Sequence, residues 1–183
     1  MRKLFSFFSL LFIINSLSAQ NGALLLTHFK ESREIENQSW AICQDINHVM
    51  LFANRKGILS FDGQDWLSVR IPIIPFSMKT NPTDGKVFVG GENSYGFLDK
   101  NPTGSYKYVQ LSGDTSDIGV ITKIVFNDSV VWFYGERSAS RHNLVSGKLE
   151  LRLKSKTDNP FTGMIVSPKN TFINLLNKEE QQE

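Results

Sequence analysis

The chain has 183 residues, of which 40% are hydrophobic and 21% are charged, and its formal net charge is +2. A chain of this length and apolar content can bury a sizeable core, which argues against wholesale disorder. A net charge this small, with no long block of like charge, does not indicate a nucleic-acid or membrane-surface partner.

The first segment has the three parts of a secretory signal peptide. Arg2 and Lys3 form a short basic region, residues 4–14 are almost entirely Leu, Phe, Ile and Ser, and small or polar residues follow. This order predicts export and cleavage after Ala19, or alternatively after Ser18. An uncleaved anchor is the competing interpretation, but the apolar run is shorter than the roughly 20 residues that span a bilayer. The mature chain is therefore expected in the periplasm.

The rest of the chain alternates between short runs rich in Val, Ile, Phe, Tyr and Trp and turns rich in Gly, Asn, Asp and Pro. This alternation is typical of strands and turns. Four segments repeat one order of strands, and their second strands begin at Val49, Val87, Val130 and Thr171, at spacings of 38, 43 and 41 residues. A period of about 40 residues with four short strands per unit is typical of β-propeller blades.

The predicted fold class is all-β, an incomplete propeller of about three and a half four-stranded antiparallel blades. A helical solenoid shares the period, but the sequence shows almost no helical periodicity, and a plain β-sandwich would not recur in this way. The expected segments are a signal peptide at 1–19, a lead-in at 20–38, a partial propeller at 39–176 with blades at about 39–71, 76–111, 120–153 and 161–176, and a tail at 177–183.

Two further expectations concern packing. Because one blade is too small to bury both of its faces, aromatic residues of the second and last strands should fill the space between blades. A closed propeller has about four to eight blades, so a chain of three and a half blades is expected to be a truncated product that does not form a stable closed monomer. The aromatic residues expected between the blades are Phe52, Trp66, Phe88, Tyr108 and Trp132.

Two stretches of the sequence resemble the two-component regulator propeller family. The first comprises residues 37–45 and 52–66, and its residues 57–66 read Gly-Ile-Leu-Ser-Phe-Asp-Gly-Gln-Asp-Trp. The second, residues 87–98, reads Val-Phe-Val-Gly-Gly-Glu-Asn-Ser-Tyr-Gly-Phe-Leu. The resemblance covers about residues 24–175. The third repeat departs from the pattern, because residues 134–137 are not followed by the expected Gly-aromatic step.

The resemblance implies a periplasmic ligand-sensing region of a signal-transduction regulator, of a kind found especially in Bacteroidetes. In that family the propeller is followed by an immunoglobulin-like domain, a membrane helix and an output module, either a histidine kinase or a helix-turn-helix segment. These C-terminal membrane and output domains are the implied partners, and direct nucleic-acid binding by this segment is not implied.

Candidate binding residues lie in the turns between the second and third strands. In a propeller these turns share a face with the connections between blades, around the mouth of the central channel. Polar groups that converge on a concave mouth can hold a small polar or carbohydrate ligand, although exposed turns are also polar simply because they face water. The predicted ligand-binding residues are Asn54, Arg55, Glu92, Asn93, Glu136 and Arg137.

The sequence predicts no catalytic residue, no cofactor and no metal site. The histidines His28, His48 and His142 lack partners at metal-ligand spacing, and no nucleophile-elbow motif is present. The single cysteine, Cys43, is expected in the core. A secreted scaffold for protein–protein contact stays open as an alternative, and an exported glycan-active enzyme is disfavoured because no repeated carboxylate pair marks a site.

Overall fold

The computed structural model describes residues 38–113, 117–155, 160–167 and 170–175. The predicted signal peptide, most of the predicted lead-in and the predicted tail lie outside the described residues. Within the described ranges the regular structure consists of β-strands. No helix in this part of the chain has the length and apolar character needed to cross a membrane.

The strands form three four-stranded sheets and one two-stranded sheet, which we call blades 1 to 4. Blade 1 contains β1 (Ser39–Gln44), β2 (Met50–Asn54), β3 (Gly57–Phe61) and β4 (Trp66–Val69). Blade 2 contains β5 (Pro75–Thr80), β6 (Val87–Gly91), β7 (Tyr95–Lys100) and β8 (Tyr106–Gln110). Blade 3 contains β9 (Ile121–Asn127), β10 (Val130–Gly135), β11 (Ser138–Asn143) and β12 (Leu149–Lys154). Blade 4 contains β13 (Phe161–Val166) and β14 (Thr171–Leu175).

Every sheet is antiparallel, and its strands follow chain order from one edge to the other. The first strands of blades 1, 2 and 3 lie beside one another, so they form the inner edge around which the blades are arranged. This arrangement confirms the predicted all-β fold of incomplete propeller blades. The fourth blade has two described strands instead of four.

Polar side chains close the hairpin turns, as the sequence predicts for Asn and Asp in such positions. The Asp62 carboxylate accepts hydrogen bonds from the backbone N–H groups of Gln64 and Asp65 at 2.9 and 2.8 Å. The Asn143 side-chain oxygen accepts two from Val145 and Ser146, both at 2.9 Å. Each turn thereby satisfies its own backbone donors without a partner from another blade.

The apolar core lies between the blades, because alternate residues of a strand face opposite neighbours. In β10, Val131 and Phe133 pack with blade 2, whereas Trp132 and Tyr134 pack with blade 4. The strand is therefore an uninterrupted apolar run and has buried residues on both of its faces. A single blade would leave both of these apolar faces open to water, and for that reason neighbouring blades stack on it.

The predicted inter-blade aromatic residues divide into two groups. Phe88 and Trp132 are buried and Tyr108 is half-buried, and all three belong to clusters between blades. Phe52 and Trp66 do not fill a space between described blades. Their rings lie 5.5 Å apart on the face of blade 1 that points away from blade 2, because Phe52 alternates with residues that face blade 2.

Candidate functional site

One face of the molecule carries the turns between second and third strands together with the connections between blades. We call it the connector face. Gly57, at the β2–β3 turn, lies against the backbone where β4 leaves for blade 2, and a Cβ there would sit 2.7 Å from the Val69 carbonyl oxygen. In blade 2, the N–H of Glu92 donates to the carbonyl of Ile74 at 3.3 Å, and the N–H of Asn93 donates to that of Gly119 at 3.0 Å.

The corresponding turn of blade 3 is held by connections on both of its sides. The Ser138 hydroxyl donates to the Ile118 carbonyl at 2.9 Å, and the Arg137 guanidinium pairs with Asp117 at 2.9 Å. On the other side, the N–H of Phe161 donates to the Glu136 carbonyl at 2.8 Å. The three predicted turns therefore do share the face that carries the inter-blade connections.

Two of the six predicted binding residues use their side chains to accept backbone hydrogen bonds. Asn54 is buried, and its side-chain oxygen accepts a hydrogen bond from the backbone N–H of Lys56 at 2.9 Å. Asn93 has a left-handed backbone, with φ 53°, and its side-chain oxygen accepts one from the N–H of Gly119 at 3.0 Å. Arg55 is thus the exposed residue that follows Asn54 in the first turn.

The other predicted residues are exposed. Glu92 and Glu136 present their carboxylates to solvent at the turns of blades 2 and 3. Arg137 and its partner Asp117 have side chains that are 64% and 65% exposed, so their ion pair is well solvated. A solvated pair of this kind contributes little to stability, and its groups stay accessible at the connector face.

The first strand of every blade contains a β-bulge at its second residue. In each blade the pairing register with the second strand skips one position, which leaves one residue of the first strand without an opposite partner. Bulges of this kind re-aim a side chain and are frequent beside functional sites. The skipped residues are Trp40, Phe76, Thr122 and Thr162.

The two aromatic bulge residues touch each other across the boundary between blades 1 and 2. The ring centroids of Trp40 and Phe76 are 4.7 Å apart, and the ring planes are inclined by 30°. Both side chains are half-buried. The rings therefore form a paired aromatic surface on the inner edge of the blades, and we call it the aromatic pair.

The aromatic pair lies at the same end of the blades as the predicted polar turns. Ser39, beside Trp40, pairs with Asn54, the residue before Arg55. In blade 2, the residue before Phe76 pairs with Gly91, the residue before Glu92. The register thus places the turns that contain the exposed Arg55 and Glu92 at the same end of the strands as the two aromatic bulges.

Sequence reasoning did not identify the aromatic pair. A bulge is a feature of pairing between two strands, and no motif within one strand reports it. The available signal was positional, because Trp40 and Phe76 both occupy the second residue of the first strand in their repeats. Comparison of the four repeats at that position shows two aromatic residues followed by two threonines.

A second polar cluster is buried between blades 2 and 3. The Tyr95 hydroxyl lies 3.0 Å from Nε2 of His142 and accepts a hydrogen bond from the Arg152 guanidinium at 3.0 Å. Burial lowers the pKa of His142, and the nearby Arg152 charge adds to that effect, while a backbone interaction with Gly147 and the Glu150 charge act in the opposite direction. The cluster joins blades 2 and 3, and Arg152 also donates to the carbonyl of Ser112, in the connection between these blades, at 2.9 Å.

Two other kinds of potentially functional side chain are the single cysteine and the possible metal ligands. Cys43 is half-buried and packs against the core between blades 1 and 2. Burial raises the pKa of its thiol to about 11, which leaves it protonated and unreactive at neutral pH. In the described ranges, no three His, Cys, Asp or Glu side chains are grouped as metal ligands.

Comparison with known proteins adds information on the fold. No family model matches the chain, and no curated protein matches it. Its structure is similar to the crystal structure of the extracellular domain of BT4673 from B. thetaiotaomicron, a protein assigned to a one-component system, with 16% sequence identity and a TM-score of 0.51. The match covers 70% of this chain and 18% of that chain, so this chain spans less than a fifth of the other protein's length. At this identity the likeness shows a shared fold.

Proposed function

We propose that this chain is the sensing region of an exported signal-transduction regulator, and that it binds a small polar ligand, such as a saccharide, at the connector face. The observation that carries the proposal is the convergence of exposed polar turns and an aromatic pair at the inner edge of the blades. Polar groups around a partly apolar concave surface are the usual composition of a small-ligand site.

Two further observations support an extracytoplasmic sensing role. The predicted signal peptide would deliver the chain to the periplasm. The fold is similar to part of an extracellular domain whose protein is assigned to a one-component system. In this proposal, C-terminal membrane and output domains of the same regulator are the partners that convert ligand binding into a response.

The proposed role involves binding without catalysis. An enzyme acting on glycans would need two carboxyl groups facing one bond at about 5–10 Å. At the connector face, Glu92 and Glu136 belong to turns of different blades, and Asp117 is engaged by Arg137. We therefore propose that a bound saccharide leaves the protein chemically unchanged.

Ligand binding to the purified full chain tests this function. Thermal unfolding would be followed with maltotriose, cellotriose, xylotriose and chondroitin disaccharide in turn, because a ligand that binds the folded state raises the unfolding temperature. Arg55→Ala and Glu92→Gln should reduce that rise, while Lys107→Ala, an exposed residue of β8, serves as the matched control.

The same samples separate the competing functions. Mass spectrometry of the saccharide after incubation should return it intact, and a shortened product would instead establish an enzyme. If none of the four saccharides changes the unfolding temperature, the saccharide-sensing proposal fails. Cell fractionation should recover the chain from the periplasm with its signal segment removed, and recovery from the cytoplasm would contradict the sensing role.

A scaffold function has one specific observation in its favour. Ile165 and Phe172 are cross-strand partners in blade 4, and their side chains are 70% and 60% exposed. A contiguous exposed apolar patch can mark a surface for contact with another protein. Under the scaffold alternative, Phe172→Lys would abolish binding to a protein partner, while Arg55→Ala would leave it unchanged.

A further inference from the structure

We infer that Trp40 and Phe76 form a stacking platform for the apolar face of a pyranose ring. The inference rests on the proposed function, and it names the residues that hold the saccharide and the part of the saccharide that they recognise. Neither residue was among the binding residues predicted from the sequence.

The aromatic pair does not belong to the core of the described structure. The three apolar clusters between blades include other half-buried aromatic residues, such as Tyr106 and Tyr108, but neither Trp40 nor Phe76. Large rings contribute most to stability when they are buried. Two rings that meet each other at 4.7 Å and stay partly exposed therefore have an outer surface that packing among the described residues does not cover.

The backbone holds this surface in place. Each ring belongs to the bulge residue of a first strand. The other residues of that strand pair in register with the second strand of the same blade. The residue after Phe76, Ser77, is buried, and its hydroxyl donates to the Ile121 carbonyl of blade 3 at 2.8 Å. Phe76 is therefore anchored by a strand that is tied to its neighbour, which limits the freedom that a ligand would have to remove on binding.

The chemistry around the pair changes from apolar to hydroxyl-bearing along the inner edge. The equivalent bulge residues of blades 3 and 4 are Thr122 and Thr162, and both are exposed. Arg55 and Glu92 stand at the adjacent turns. A pyranose has one face of C–H groups and a rim of hydroxyl groups, so it matches an aromatic surface that is bordered by donors and acceptors.

Tryptophan fluorescence can test the platform without altering it. The chain has three tryptophans, Trp40, Trp66 and Trp132. The full-length Trp66→Phe variant keeps two tryptophans. Trp40 is partly exposed, whereas Trp132 is buried, with 3% exposure. Acrylamide quenching of this variant then reports mainly on Trp40. The saccharide that stabilises the protein should reduce quenching, and unchanged quenching at saturating saccharide would overturn the inference.

Substitutions provide the second arm. Trp40→Ala and Phe76→Ala should each weaken saccharide binding by about tenfold, which corresponds to one aromatic stacking contact. Trp40→Phe and Phe76→Tyr keep an aromatic ring and should stay within about threefold of the parent affinity. If the alanine variants fail to fold, the conservative pair and the quenching experiment decide the matter, and Ile42→Ala, an exposed residue of β1, is the matched control.

The outcomes separate this inference from the function on which it rests. A saccharide that stabilises the chain but binds Trp40→Ala and Phe76→Ala with parent affinity overturns the platform and leaves the sensing role intact. Stabilisation by no saccharide overturns both. Protection of Trp40 by N-acetylphenylalaninamide, which does not fluoresce under tryptophan excitation, with no protection by any saccharide, would show a site for planar aromatic groups and would overturn the saccharide assignment.

Discussion

The carboxylate of Asp45 accepts a hydrogen bond from the hydroxyl of Tyr106 at 2.6 Å, across the boundary between blade 1 and blade 2. Lys100 donates to the same carboxylate oxygen at 3.0 Å, and the backbone N–H groups of Asn47 and Val49 donate to the other oxygen at 2.8 and 2.9 Å. The Asp45 side chain is 4% exposed. One carboxylate thus closes the β1–β2 turn and joins two blades.

This contact predicts a dependence of stability on acid. Burial by itself would raise the pKa of Asp45, but the hydrogen bonds from Tyr106, Lys100 and Val49 outweigh it and hold the pKa below the ordinary value of 3.8. A carboxyl whose pKa is lower in the folded state stabilises the fold above its unfolded pKa, and this stabilisation is lost as the pH falls through the folded pKa.

We expect Asp45→Asn to lower the free energy of unfolding by about 1.5–3 kcal/mol at neutral pH, since it removes hydrogen bonds to a charged group. The difference between the variant and the parent should narrow as the pH falls below about 4. Thermal unfolding from pH 7 to pH 2.5 measures this, with the exposed Asp99→Asn as control. A difference that stays constant over the whole range would contradict the assignment.

His142 predicts a second pH effect at higher pH. Because burial and the Arg152 charge lower its pKa from 6.5, the folded state disfavours the protonated imidazole. The stability that this group supports is present above pH 6.5 and declines as the pH falls below that value. His142→Gln should flatten the decline between pH 6.5 and 5, while His48→Gln, an exposed residue, should leave it unchanged. An unaltered slope in the His142 variant would rule the effect out.

Two glycines with positive φ provide a matched pair. Gly57 has φ 129°, and its added Cβ would meet the Val69 carbonyl oxygen at 2.7 Å, whereas Gly63 has φ 103° and nothing within 4 Å. Gly63→Ala should cost about 1 kcal/mol from backbone strain alone, and Gly57→Ala should cost clearly more because the steric clash is added. Chemical denaturation gives both values. Equal losses would show that the β2–β3 turn does not depend on this close approach.

Trp66 and Trp132 should differ in how much each contributes to the free energy of unfolding. Trp132→Ala removes a fully buried ring between blades 3 and 4 and should cost about 3–5 kcal/mol. Trp66 stacks on Phe61 at 4.3 Å but is half-buried, so Trp66→Ala should cost less. Arg55→Ala should change stability by less than about 0.5 kcal/mol. A larger loss for Trp66→Ala than for Trp132→Ala, measured by denaturant unfolding, would contradict the packing described above.

The exposed face of blade 4 predicts self-association of the chain. Ile165 in β13 and Phe172 in β14 are exposed, and these two strands have no further described partner in their sheet. Open sheet edges and apolar faces favour association. Sedimentation analysis of residues 20–183 should therefore show species heavier than a monomer, and Phe172→Lys should shift the distribution toward monomer. A dilute monomer with one cooperative transition would disprove this expectation.

Repetition made the fold class predictable from the sequence. The strand order recurs every 38 to 43 residues, and each strand carries its own β-branched, aromatic and turn residues, so local chemistry reports each element. The position of the polar turns on the connector face followed from the same repeat. These features depend on neighbours in the chain, and for that reason a single sequence contains them.

What only the tertiary structure decided depends on contacts between strands and between blades. The Asn54 side chain closes its own turn, whereas the Asn93 side chain accepts from the N–H of Gly119 in the connection between blades 2 and 3. The bulges that carry Trp40 and Phe76 arise from pairing with a second strand, and the 4.7 Å ring contact requires two blades to meet. The sequence by itself determined where the strands and turns form, while the register and the stacking of blades determined which side chains stay accessible at the connector face.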